Sequence, residues 1–175
     1  SSEPDSDGTQ LGAVREYLQD HPLTQYVWFD YWCMPQGKKT PTDKVYFKWM
    51  LENINVLYLN ARVLILLDLS YLSRFWTQYE AWLSMQTATK EGLRPATVDA
   101  RRYKIVGIYN TNDSMTKGLE DIWANKNPAQ AFETLSKPDV TVTNKSDKED
   151  QLPKIWAIDG RVRDASNNTL SVVDA

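Results

Sequence analysis

The chain has 175 residues, with 20 Lys and Arg against 23 Asp and Glu, a formal charge of -3, and 42% hydrophobic and 25% charged content. These figures describe one ordinary folded domain, exclude disordered and collagen-like chains, and supply no basic footprint for nucleic acid or an anionic membrane. The single Cys33 cannot form an internal disulfide, which favours an intracellular, cytoplasmic setting over an oxidising one and makes chance matches of the sequons at Asn112, Asn144 and Asn167.

Residues 1–8 read as a loose polar lead-in, and the first residue being Ser leaves a processed or excised chain open. Leu11, Val14, Tyr17 and Leu18 then recur at helical spacing until His21-Pro22. Tyr26 to Trp32 is aromatic and β-branched and Arg62 to Asp68 is continuously apolar, so both read as buried strands of a parallel sheet. Between them Thr40-Pro41-x-Asp43 is a helix start, with Phe47, Met50, Ile54 and Leu57 along one face.

Ser70 to Ser73 is a turn, and Arg74 to Gln86 a helix with Trp76, Tyr79 and Leu83 on its apolar stripe. Lys90 to Arg102 reads as a connection and Tyr103 to Tyr109 as the third strand. Met115 to Ser136 holds two helices split at Asn127-Pro128, and Val140 to Thr143 is a short fourth strand. Ser146 and Glu149 form a capping-box pair for a last helix that Pro153 must kink or end. The domain then spans 1–159, with 160–175 a polar tail.

Strands alternating with helices imply an open α/β sheet, in which ligands bind outside the carboxyl ends of the strands. Asp30, Asp68, Asn110 and Asn144 follow the four strands there, each being also a common turn residue. None of the seven glycines builds a phosphate loop, so a nucleotide site of the Rossmann or P-loop kind is unsupported. One His and one Cys assemble no metal centre: His21 reads as a surface-loop histidine and Cys33 as a packed thiol. Glu80, four residues after Trp76 and beside Tyr79, sets a carboxylate at the edge of an apolar stripe. It is either an exposed helical glutamate paired with Arg74 or a lysine, or a partly buried group with a functional role.

Trp28-Phe29-Asp30-Tyr31-Trp32-Cys33-Met34-Pro35-Gln36 resembles the W-x-D-x-x-C-x-x-Q signature of heterokaryon-incompatibility (HET) domains, and Met50 to Leu67 resembles their next helix and strand. Ser70 to Trp82 is similar both to the S-x-W-C-x-x-E-L segment of Toll/interleukin receptor (TIR) domains and to the R-x-W-T-x-x-E stretch of HET domains. The likeness covers Leu11 to Tyr109, and Met115 to Asp159 only in element order. Thr77 stands where many TIR domains have cysteine. The resemblance implies a flavodoxin-like (TIR-type) open parallel sheet with flanking helices. The central strand that should precede the first helix is missing here, so an exposed sheet edge and a poorly soluble or self-associating chain are expected.

It further implies that Glu80 is catalytic in cleaving the nicotinamide glycosidic bond of NAD, as substrate and with no resident cofactor or metal. Trp76 would wall the pocket, with Asp30, Gln36 and Ser73 binding ribose or amide. Plain alternatives stand beside each: core packing for Trp76, a turn for Asp30, an exposed loop for Gln36 and a helix N-cap for Ser73. Three functions stay open. One is a cell-death or immune-type signalling domain with NAD glycohydrolase activity, acting through homotypic self-association and alongside other signalling domains. The others are a non-enzymatic interaction module of the same fold, and a nucleoside or deoxyribosyl transferase needing a second carboxylate such as Asp30 or Asp68.

Overall fold

The computed structural model describes residues 5–142 and 145–173, and the chain divides into two compact units, Ser1–Leu57 and Tyr58–Ala175. In the first unit α1 (Thr9–Asp20) starts where Asp5 accepts the backbone N–H groups of Gln10 and Leu11, both at 2.8 Å. That satisfies two of the donors a helix N-terminus leaves unpaired. At the other end His21 stacks on Tyr17 at 3.9 Å between ring centroids, with Nδ1 2.8 Å from the Tyr17 carbonyl, so this histidine is half-buried against its helix rather than loose in a surface loop.

The strand expected over Tyr26 to Trp32 is not formed. Residues 22–29 join no ladder, and α2 (Asp30–Cys33) is a single helical turn that begins inside the run. Strand-forming side chains need a paired edge to be realised. Here local bonding prevails: the Asp30 carboxylate accepts the Tyr31 N–H at 2.7 Å, and the Phe29 carbonyl accepts the N–H of Cys33 at 2.8 Å. Helix α3 (Pro41–Asn60) starts as the sequence predicts. Thr40 Oγ accepts the Asp43 N–H at 3.2 Å, while the Asp43 carboxylate accepts the Thr40 hydroxyl at 2.7 Å and the Thr40 N–H at 3.0 Å, and these last two bonds hold the Asp43 pKa below its ordinary value.

In the second unit β1 (Val63–Leu67) and β4 (Tyr103–Gly107) pair in parallel with Leu67 opposite Gly107. The crossover between them carries α4 (Phe75–Ser84) and an antiparallel hairpin of β2 (Gln86–Thr89) and β3 (Gly92–Pro95). The hairpin occupies part of what the sequence reads as connection. Its strands are four residues each, and β3 (Gly-Leu-Arg-Pro) has no β-branched residue, so the pair is a weak strand former by itself. Gly92, at φ 102, turns the chain, and the Leu93 N–H donates to the buried Asp159 carboxylate at 2.7 Å.

Helices α5 (Asp113–Trp123) and α6 (Pro128–Ser136) follow, separated at Asn127-Pro128, where Asn127 and Gln130 form a reciprocal capping box. The fourth strand contracts to one parallel bridge between Arg74 and Thr141, and Thr143 and Asn144 lie outside the described residues. Helix α7 (Lys145–Val173) contains Pro153 and continues through the segment read as a polar tail. Ser146's side chain, on which the capping pair depends, is also outside those described. The Lys148 ammonium bonds the carbonyls of Lys137 at 2.7 Å and Val140 at 3.0 Å, a cation at the end of α6 where the helix dipole favours one. Asp159 and Arg163, one turn apart on α7, pair beneath the hairpin, which is what gives this polar segment a packed face.

The core of this unit is aromatic. Phe75, Tyr79 and Trp82 of α4 are fully buried, with ring centroids 5.8 and 6.1 Å apart, against Leu67, Leu119, Trp123, Leu135 and Ile155. Tyr79 and Leu83 of the expected stripe of α4 are fully buried, the buried face widens to take in Phe75 and Trp82, and Trp76 lies at its margin. The fold is thus mixed α/β, with a two-stranded parallel sheet and an antiparallel pair among the described residues.

Candidate functional site

Parallel pairing puts the carboxyl ends of β1 and β4 at one edge, and the chain leaving β1 there is tightly tied. Asp68 Oδ1 accepts the Ser70 N–H at 2.9 Å and the Ser70 hydroxyl at 2.8 Å, and Arg74 Nη2 lies 3.6 Å from the same oxygen. A 3-10 turn, Tyr71–Ser73, leads into α4, where the Thr77 hydroxyl donates to the Tyr71 carbonyl at 2.7 Å and the Gln78 amide to the Leu72 carbonyl at 2.7 Å. Thr77, the departure from the TIR pattern, thus fastens the turn that precedes the helix.

Glu80 projects from the second turn of α4, between Tyr79 and Ala81, both fully buried. The helix is enclosed on most of its circumference, so Glu80 is half-buried rather than freely exposed. Its charge acts on Tyr71, whose phenol is held well above the ordinary tyrosine range, first by burial and then by the Glu80 and Asp68 carboxylates, with Arg74 opposing. Tyr71 therefore stays a neutral hydrogen-bond donor among two carboxylates and a guanidinium. No sequence signal marks Tyr71, since a tyrosine in a turn carries no motif; its placement before α4 is what exposes it to these charges.

Of the other candidates in this unit, Trp76 is half-buried and meets Phe75 edge-on at 5.9 Å. Ser73 is exposed and does not cap α4: its hydroxyl donates to the Ser70 carbonyl at 2.9 Å, and its own carbonyl accepts the Thr141 N–H at 2.8 Å. Asp30 and Gln36 belong to the first unit and are joined to each other. The Gln36 amide donates to the Met34 carbonyl at 3.1 Å and the Asp30 carbonyl at 3.4 Å. Cys33 is exposed, not packed, its sulfur accepting the Phe29 N–H at 3.4 Å, because the turn of α2 directs it away from a core.

On the β4 side the loop is pinned back onto β1. The Ile108 N–H donates to the Leu67 carbonyl at 2.9 Å, and the Thr111 hydroxyl lies 3.2 Å from the same carbonyl. Asn112 then caps α5 by accepting the Met115 N–H at 3.1 Å. Among the described residues no three His, Cys, Asp or Glu side chains converge as metal ligands, and no helix is long and apolar enough to cross a membrane.

Comparison with protein-family models, with curated proteins and with solved structures finds no match to this chain.

Proposed function

We propose that this chain is a TIR/HET-like signalling domain of a cell-death or immune-type protein, and that it hydrolyses the nicotinamide glycosidic bond of NAD through Glu80. The observation that carries the reading is a half-buried glutamate on the helix that follows β1, the strand whose carboxyl end also carries Asp68. The adjacent parallel strands and their helical crossover support a flavodoxin-like lineage in which this edge is the ligand side.

In the reaction the electron pair of the C1′–N bond leaves with nicotinamide, a neutral group, and the ribose gains oxocarbenium character. A carboxylate held out of bulk water stabilises that charge. Water then adds at C1′ and releases its proton, giving ADP-ribose. Ser73 and Trp76, both shortly before Glu80 in the chain, are the candidates in this unit for contacts to the substrate. Asp30 and Gln36 carry the HET-like motif within the first unit. Cytoplasmic residence and action through homotypic assembly, with other signalling domains as partners, belong to the same proposal.

A second reading, the non-enzymatic interaction module, is favoured by one feature: α3 exposes Val45, Tyr46 and Trp49, each at 60% or more of its surface. Incubating the chain with NAD and separating products tests both. Nicotinamide release that disappears in Glu80→Gln establishes the hydrolase. A folded, concentrated wild type that releases none refutes it and leaves the module.

A further inference from the structure

The chain holds a strand with an unused edge and an unused segment composed like a strand. β1 reads Val-Leu-Ile-Leu-Leu, without a charge, glycine or proline, and Ile65 and Leu67 are buried while Leu64 and Leu66 on its other face are half-buried. A strand apolar on both faces has the composition of a sheet interior, where ladders run on both sides. Among the described residues, however, β1 has one ladder, to β4. β4 is the strand built as an edge: its Lys104 and Gly107 are exposed, and a lysine and a glycine both discourage further pairing. The edge short of a partner is therefore the outer edge of β1.

Residues 24–29, Thr-Gln-Tyr-Val-Trp-Phe, are the matching piece. They join no helix or ladder among the described residues, and Tyr26 and Val27 expose 89% and 50% of their surface. In a strand Tyr26 and Trp28 fall on one face and Val27 and Phe29 on the other, so this uncharged run is also apolar on both sides and suits a strand covered on both. We infer that residues 24–29 of one copy add as a strand to the outer edge of β1 in a second copy, in a reciprocal exchange that closes as a two-fold dimer. The inference names the contact of the homotypic assembly proposed above, rests on that part of the reading, and needs nothing of the chemistry assigned to Glu80.

The test is sedimentation velocity of the full chain from dilute to concentrated, with hydrogen exchange on the same samples, for wild type, Val27→Pro and Val27→Thr. Proline removes a ladder donor, and because Val27 lies in no helix or ladder the melting midpoint of the dilute chain should not change. Dimer affinity should fall roughly tenfold or more, as expected when one ladder bond is lost and its partner left unpaired, whereas threonine, β-branched and with its N–H intact, should dimerise as wild type. Amides of residues 25–28 should gain protection as wild type is concentrated. A wild type monomeric at every concentration, dimers as tight in Val27→Pro as in wild type, or protection of residues 25–28 that ignores concentration, the mark of a run docked within its own chain, overturns the inference. The two readings fail separately. Strand-dependent dimers that release no nicotinamide from NAD sink only the hydrolase, whereas nicotinamide release by a strictly monomeric wild type sinks only the strand exchange.

Discussion

Replacing Gly92 by alanine should be among the more damaging single changes in the second unit, and the structure allows its cost to be built up. At φ 102 an L side chain is strained, by about 1–2 kcal/mol on the scale of left-handed backbone conformations. The added Cβ would lie 2.3 Å from Asp159 Oδ1, far inside contact distance, so the carboxylate must move. Moving it strips the acceptor from the buried Leu93 N–H, a loss of about 1–3 kcal/mol. The sum, about 2–5 kcal/mol, is a large part of the 5–15 kcal/mol typical of a whole domain. Urea unfolding of Gly92→Ala, Asp159→Ala and the double variant, followed by the near-ultraviolet signal of buried Trp82 and Trp123, separates the two contributions. With Asp159 truncated the clash is gone, so Gly92→Ala should then cost only the backbone share, and the cycle should show at least about 1 kcal/mol of coupling. Equal cost in both backgrounds would refute the claim that Gly92 is required by the carboxylate.

Two further outcomes follow from capping and from burial. Asp5→Ala removes the acceptor for two N–H groups at the start of α1 and should lower stability of the first unit by about 1–2 kcal/mol, read by helical circular dichroism on urea titration; no shift would mean water replaces the cap at no cost. Tyr103, bonded to Glu120 at 2.7 Å, has its pKa pushed up to about 12 from an ordinary 10, chiefly by burial. A raised folded-state pKa keeps its stabilising contribution intact below pH 10 and loses it as pH rises through 12. Tyrosinate absorbance should show a step near 12 that Tyr103→Phe abolishes, while Tyr71 and Tyr79, raised further still, ionise only as the chain unfolds.

Self-association gives a different kind of test of legibility, because the sequence motifs and the folded surface speak to it separately. The exposed Val45, Tyr46 and Trp49 of α3 lie on a helix whose start, Thr40-Pro41-x-Asp43, is legible from local chemistry alone. Nothing local, however, states which of its apolar residues find a core. The helix of Glu80 shows the same division. Its existence follows from spacing, but its buried face is turned to Phe75, Tyr79 and Trp82, because neighbours that arrive from residues 119–155 enclose it.

What the sequence determined by itself are the features whose causes lie within a few residues: the β1 and β4 runs, the caps of α3 and α6, the Asn127-Pro128 break and the turn after Asp68. Tertiary structure alone decided the rest. Tyr26 to Trp32 has the composition of a strand but acquires no edge to pair with, and so yields to the Asp30 turn. The hairpin of β2 and β3 has weak strands, yet it is ordered by a carboxylate 66 residues away. Residues 160–173 have tail-like polarity, yet they continue a helix that Asp159, Arg163 and Ser166 anchor against that hairpin. The association of Tyr71 with Glu80 and Asp68 likewise depends on where a turn delivers a side chain. Hydrogen-bond caps and apolar periodicity act at short range, whereas ladder partners, buried ion pairs and the environment of a carboxylate exist only once distant segments meet.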